Sequence, residues 1–159
     1  MFAIELEARM KALGLTGNQL ATGLGMKPTR ISEMLTNKRN IYPFVAQSLT
    51  ELEAEMTNTV ELLFEQVVEQ AGLGEQDPDT DDLVRALAGR RVKLTPHFDR
   101  AGTSEDLGVI EAAIYTRFQR NLALTACGRI YAELSQLGIE CEIVPGLESE
   151  GWVEVEEIG

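Results

Sequence analysis

Residues 15–39 read LTGNQLATGLGMKPTRISEMLTNKR, and the fold turns on how this stretch divides. Thr16 suits a helix N-cap, because its side-chain oxygen can accept a backbone N–H two or three residues on. A short helix is therefore predicted over Gly17 to Leu24. Gly25 then supplies a turn of positive φ without the steric cost of a side chain. Pro28 suits the first position of a second helix, where its missing N–H has no helical partner anyway, and that helix is predicted to reach about Leu35. Two short helices crossing steeply need a small residue at their contact, which Ala21 provides. Leu20, Leu24, Met26, Ile31 and Met34 are expected to close a small core around the pair.

Upstream, Phe2 to Leu13 places Ile4, Ala8 and Leu13 near helical spacing, with Leu6 and Met10 on the same broad face and Gly14 as the stop. Downstream, Thr36 to Asn40 reads as a polar loop. From Pro43, the residues Val45, Leu49, Leu52, Met56, Val60, Leu63 and Val67 recur every three or four positions, which draws one apolar stripe along a helix. Thr57-Asn58-Thr59 has poor helix propensity and is expected to break it. The stripe from Val60 to Val67 fits either a core or an interface between copies. Residues 72–82 read as an acidic linker, with Asp81 or Asp82 capping a short helix through Ala88. Arg91 to Thr95 alternates as a short strand. After a polar stretch from Asp99 to Ser104, a long helix is predicted on Ile110, Ile114, Phe118, Leu122, Ala126, Ile130, Leu134 and Leu137, ended by Gly138. Ile139 to Val144 and Trp152 to Val155 alternate apolar with acidic residues around Pro145-Gly146 and are expected to pair as a β-hairpin. The fold class is thus mainly α. A helix-turn-helix bundle with its following amphipathic helix occupies 1–71, a linker 72–82, and a small α+β module 83–159, for dimerisation or partner binding.

The chain has 159 residues, 44% of them apolar and 25% charged, which excludes a disordered tail, a collagen-like repeat and a disulfide miniprotein. No apolar run approaches the roughly 20 residues that cross a bilayer. The opening MFAIELEARM carries glutamates where a signal peptide wants basic and apolar residues. A cytoplasmic protein is expected, with Cys127 and Cys141 as reduced, partly buried thiols. The lone His97 has no zinc-ligand spacing around it and no nucleophile-elbow sequence to serve. Gly23-x-Gly25 and Gly72-x-Gly74 lack the lysine of a phosphate loop. No catalytic residue, metal or cofactor is expected, and the chain does not read as an enzyme.

The net charge of −12 is unevenly placed. Residues 1–39 carry six basic and three acidic side chains, whereas 40–84 carry eleven acids and no Lys or Arg. Residues 85–132 are net +4, and 133–159 hold eight acids and no base. Such asymmetry implies separate surfaces for separate partners.

On the residues quoted, the stretch 15–39 resembles the helix-turn-helix of the Cro/C1-type (XRE) DNA-binding family, without gaps over those 25 residues and more loosely over about residues 1–65. The chain departs from the family at Gly17, where Gln is common, and at Lys27, where a small polar cap is common. The resemblance implies that the second helix of the motif lies in the major groove, with Lys27, Thr29, Arg30 and Glu33 at base edges. Arg30 would bond guanine, Glu33 would accept from cytosine, and Thr29 would touch a thymine methyl. Thr16 and Asn18 would meet a phosphate at the start of the preceding helix, and Asn37, Lys38 and Arg39 would hold the backbone on the other side. A charge of +3 neutralises few phosphates, so two copies on a partly palindromic double-stranded operator, and hence a homodimer, are expected. The implied function is transcription regulation, as a repressor of phage or mobile-element genes.

The C-terminal half is faintly similar, in the order of its elements alone, to prophage and anti-CRISPR-associated autorepressors. Arg117 and Arg120, one helical turn apart, fit either ion pairs with the chain's own acids or an accessory nucleic-acid contact. The acidic stretch 40–84 supports a rival reading. It could mimic the phosphates of DNA and occupy a protein partner's basic groove, an inhibitor carrying its own autoregulatory helix-turn-helix.

Overall fold

Two of the short helices begin at residues whose side chains cap them, Thr16 and Asp79. A computed structural model describes residues 1–74, 78–99, 102, 108–145 and 151–158. Their order is α1 (Ala3–Ala12), α2 (Gly17–Gly23), α3 (Pro28–Leu35), α4 (Pro43–Gln70), α5 (Thr80–Ala86), β1 (Arg90–Leu94), α6 (Val109–Gln136), β2 (Glu140–Ile143) and β3 (Val153–Glu157). The chain is mainly helical with one small mixed sheet. No described helix is long and apolar enough to cross a membrane.

Packing groups the residues into two compact units, 1–56 with 98–125 and 57–97 with 126–159. This differs from the sequential division at 72–82, because α4 and α6 each contribute to both units. Of that expected linker, residues 75–77 lie outside the described residues, and Thr80 to Asp82 already belong to α5. Asp79, not Asp81 or Asp82, is the cap of α5: its Oδ1 accepts the Asp82 N–H at 2.8 Å. The polar stretch expected over Asp99 to Ser104 is described only at Asp99 and Gly102. The loop expected at Pro145-Gly146 is described only at Pro145.

Helix α4 runs unbroken through Thr57-Asn58-Thr59, contrary to the expected break. Each of these residues costs only about half a kcal/mol of helix propensity, and Met56 and Leu63 on either side are buried. The boundary between the units nevertheless falls between Met56 and Thr57.

In the first unit α1 buries three of the five residues of its expected face, Leu6, Met10 and Leu13, and exposes the other two. Ala3, Leu6, Met10 and Leu13 are buried, while Ile4 is 77% exposed and Ala8 is exposed too. A ten-residue helix buries one apolar stripe, and the stripe with the three largest side chains prevails over the one holding Ala8. Leu20, Ala21, Ile31, Met34, Val45 and Leu49 complete the core, all fully buried. Leu24 and Met26, expected there, are half-buried. Arg9 Nε bonds Glu53 at 3.1 Å and so joins α1 to α4. The Thr125 hydroxyl donates to Leu13 O at 3.0 Å, tying α6 to the end of α1.

In the second unit the sheet order is β2-β1-β3, so the expected hairpin of β2 and β3 does not form. β1 lies between them, parallel to β2 with Val92 opposite Cys141, and antiparallel to β3 with Val92 opposite Val155. Charge explains the insertion. β2 carries Glu140 and Glu142, and β3 carries Glu154, Glu156 and Glu157, so direct pairing would put like charges opposite one another. β1 brings Arg91 to Glu140 and Glu156, and Lys93 to Glu142 and Glu156. Parallel strands need a long crossover, and α6 supplies it between β1 and β2. The Gln70 side chain bonds Val153 O and the Val155 N–H, as a neighbouring strand would, on the edge of β3 away from β1. Leu63, Val67, Leu83, Val92, Leu94, Ile130 and Leu134 form this unit's core. The stripe from Val60 to Val67 therefore packs within the chain, at Leu63 and Val67.

Candidate nucleic-acid interface

The local fold of 15–42 is set by its caps. Thr16 Oγ1 accepts the Gln19 N–H at 3.3 Å, and Gln19 Oε1 accepts the Thr16 N–H at 3.1 Å, a reciprocal capping box at the start of α2. Gln19 Oε1 also accepts from Asn121 Nδ2 at 2.9 Å, which couples this cap to α6. Helix α2 ends at Gly23 with Leu24 as its C-cap, and Gly25 follows at φ +71°, so that Met26 N–H reaches back to Ala21 O at 2.8 Å and Gly25 N–H to Thr22 O at 3.2 Å. Lys27 occupies the N-cap of α3 without a side-chain capping bond, and Pro28 follows in the first turn.

Helix α3 buries Ile31 and Met34 against the core. Lys27, Thr29 and Arg30 are exposed, and Glu33 is half-buried. Its end is closed by Asn37, which adopts φ +60° so that Lys38 N–H bonds Glu33 O at 2.8 Å. Asparagine is among the few residues with a side chain that visit this region readily. Thr16, Asn18, Asn37 and Lys38 are exposed as well, and Arg39 is half-buried.

The expected site residues are not all free. Arg39 Nε donates to Glu33 Oε2 at 2.6 Å, and its Nη1 donates to the Tyr42 hydroxyl at 2.8 Å. Arg30 Nη1 donates to that same hydroxyl oxygen at 3.1 Å. The Arg39 guanidinium lies 5.7 Å from the centre of the Tyr42 ring, and Tyr42 stacks on Phe44 at 6.1 Å. The hydrogen bond from Arg39 holds the Glu33 carboxyl below its usual range, and the same bond raises Arg39. Sequence reasoning sent Glu33 to a base and Arg39 to the backbone; the structure pairs them with each other. Tyr42 was missed altogether. Its signal was an aromatic hydroxyl three residues beyond Arg39.

Three of the six cations in residues 1–39 are matched by acids: Arg9 by Glu53, Lys11 by Glu7, and Arg39 by Glu33. Lys27, Arg30 and Lys38 form no ion pair among the described residues, although Arg30 and Lys38 lie near the Glu33 carboxyl. All three stand on α3 or beside its ends. Arg117 and Arg120 are exposed and likewise have none among the described residues. Cys127 is buried and Cys141 half-buried, both free, and burial pushes each thiol up to about 11. Comparison with protein-family models, with curated proteins and with solved structures finds no match to this chain.

Proposed function

We propose that the chain is a sequence-specific regulator of transcription that binds double-stranded DNA through α2 and α3 acting as a helix-turn-helix. The observation that carries this reading is the placement of unmatched positive charge. In residues 1–39 Arg9, Lys11 and Arg39 are matched by acids, while Lys27, Arg30 and Lys38 are left around α3. Helix α3 would enter the major groove, with Lys27 and Thr29 nearest the bases. Thr16, Asn18, Asn37 and Lys38 would meet phosphates on either side. The Thr16 hydroxyl would do so from a capping box that already orients it.

Three cations neutralise few phosphates, so useful affinity calls for two copies on a partly palindromic operator. Phe2 and Ile4, 81% and 77% exposed, offer apolar surface that a second copy would cover. The regulator would act as a homodimeric repressor of phage or mobile-element genes, by occluding a promoter. Selection from randomised duplexes tests the reading: it expects a partly palindromic motif with half-sites about one helical turn apart. Enrichment of no motif would sink it.

One observation favours the rival inhibitor. Glu61, Glu65 and Glu69 on α4 are exposed and have no cationic partner among the described residues, which suits a basic groove on a protein partner. That activity would survive loss of Lys27 and Lys38 and disappear when the three glutamates become glutamines.

A further inference from the structure

We infer that Arg30, Arg39 and the Tyr42 hydroxyl form a phosphate clamp, and that Arg30 is a backbone contact, not a base reader. The inference rests on the DNA-binding reading for the source of its phosphate. Guanidinium groups donate and never accept, whereas a phenol has two lone pairs and one proton. Arg30 and Arg39 each donate to the Tyr42 oxygen, at 3.1 and 2.8 Å. Both lone pairs are thereby engaged, and the phenolic proton has no acceptor among the described residues. It is left to donate to an incoming group.

Charge points to what that group is. Two guanidinium groups converge on one neutral atom with a single carboxylate, Glu33, beside them. Arg30 and Lys38 both lie close enough to help hold that carboxyl ionised. The cluster keeps a net positive charge after Glu33 is counted, and it presents N–H and O–H donors together. A phosphodiester brings one negative charge and two acceptor oxygens, which match the free donors of Arg30 and the proton of Tyr42. A guanine edge instead calls for a guanidinium fork that projects freely into the groove. The bond to Tyr42 holds Arg30 beside Arg39 and the loop after α3, where backbone contacts are expected.

Tyr42→Phe removes the hydroxyl and keeps the ring that meets Arg39 and Phe44, so its thermal melt should match the parent's. The full chain, Tyr42→Phe and Arg30→Ala are titrated with two unrelated duplexes of about 20 base pairs across a salt series. Inorganic phosphate is titrated separately, followed by NMR at the arginine Nε–H signals. The clamp predicts that each variant weakens binding by the same factor on both duplexes, about three- to tenfold for Tyr42→Phe, as for one hydrogen bond. Arg30→Ala should also lower the salt slope by about 0.9. A loss confined to one duplex, with the slope unchanged, overturns the clamp and leaves the DNA-binding reading standing. A parent chain that binds no duplex at low salt ends the DNA-binding reading instead. The clamp is then supported by phosphate-induced shifts at Arg30 and Arg39 that vanish in Tyr42→Phe, and overturned by their absence. Tyr42→Phe indistinguishable from the parent in both titrations overturns it outright.

Discussion

Gly25→Ala isolates the turn on which the α2–α3 pair depends. A Cβ built at Gly25 meets no atom within 4 Å, so crowding plays no part in the outcome. What remains is backbone conformation: Gly25 sits at φ +71°, and an L-residue there costs roughly 1–2 kcal/mol. Removing glycine also narrows the unfolded ensemble, which returns about 0.4–1 kcal/mol. The net expectation is a loss of about 1 kcal/mol, or about 2–4 °C in Tm for a chain of this size. Straightening the turn instead would break the bond from Met26 N–H to Ala21 O at 2.8 Å, so the strained form should persist. Gly25→Asn should fall between glycine and alanine, because asparagine tolerates this region. Thermal and urea melts followed by far-ultraviolet circular dichroism rank the three proteins. An alanine variant as stable as the parent, or an asparagine variant below it, refutes the strain argument.

Gly23, two residues earlier, should fail for a different reason: its Cβ would sit 2.6 Å from Cε2 and Cζ of the buried Phe118. Overpacking at about 1–3 kcal/mol should outweigh the roughly 1 kcal/mol gained in helix propensity. Phe118→Leu should lessen the penalty of Gly23→Ala, and strict additivity in the double-mutant cycle would contradict the clash. Glu33 is held below the usual carboxylate range by the hydrogen bond from Arg39. The contribution of that pair is therefore present above the unfolded carboxyl's pKa and lost as pH falls through the folded one. Carboxyl NMR should show a midpoint below that of a free glutamate, returning to the ordinary range in Arg39→Ala; an unshifted midpoint in the parent counts against the pair. With both thiols pushed up to about 11, about one in a thousand is ionised at pH 8. Alkylation of the native protein should be slow there and accelerate on unfolding, and rapid labelling at pH 8 would show that burial is overstated.

Much of the first unit was legible because its signals are local. Thr16, Gly25 and Pro28 each act on their own few residues, and the observed bounds of α2 and α3 lie within a residue of those expected. On α1 the burial of Leu6, Met10 and Leu13 was legible but the exposure of Ile4 was not, since Ile4 and Leu6 are both apolar and only packing decides where the stripe ends. β2 and β3 each announced themselves by alternation, yet their partner was β1, some 45 residues before β2 in sequence. The clue lay in charge: a basic strand and two acidic ones cannot all pair favourably in any other order. At the candidate interface, exposure of Thr29 followed from its place opposite Ile31 and Met34, and that of Lys27 and Lys38 from their place beyond the ends of α3. The bonds among Arg30, Glu33, Arg39 and Tyr42 did not, because they depend on how the loop after α3 folds back once Asn37 turns left-handed.

The central claim is that α2 and α3 bind DNA sequence-specifically, with the cations around α3 holding the duplex in place. Fluorescence anisotropy with duplex from the region upstream of the chain's own gene, against a scrambled duplex and across a salt series, tests it most directly. The account predicts tight binding to the upstream duplex alone, with a steep salt dependence that becomes shallower by about one unit in Lys38→Ala. Equal affinity for the two duplexes, or no binding to either at the lowest salt, contradicts it.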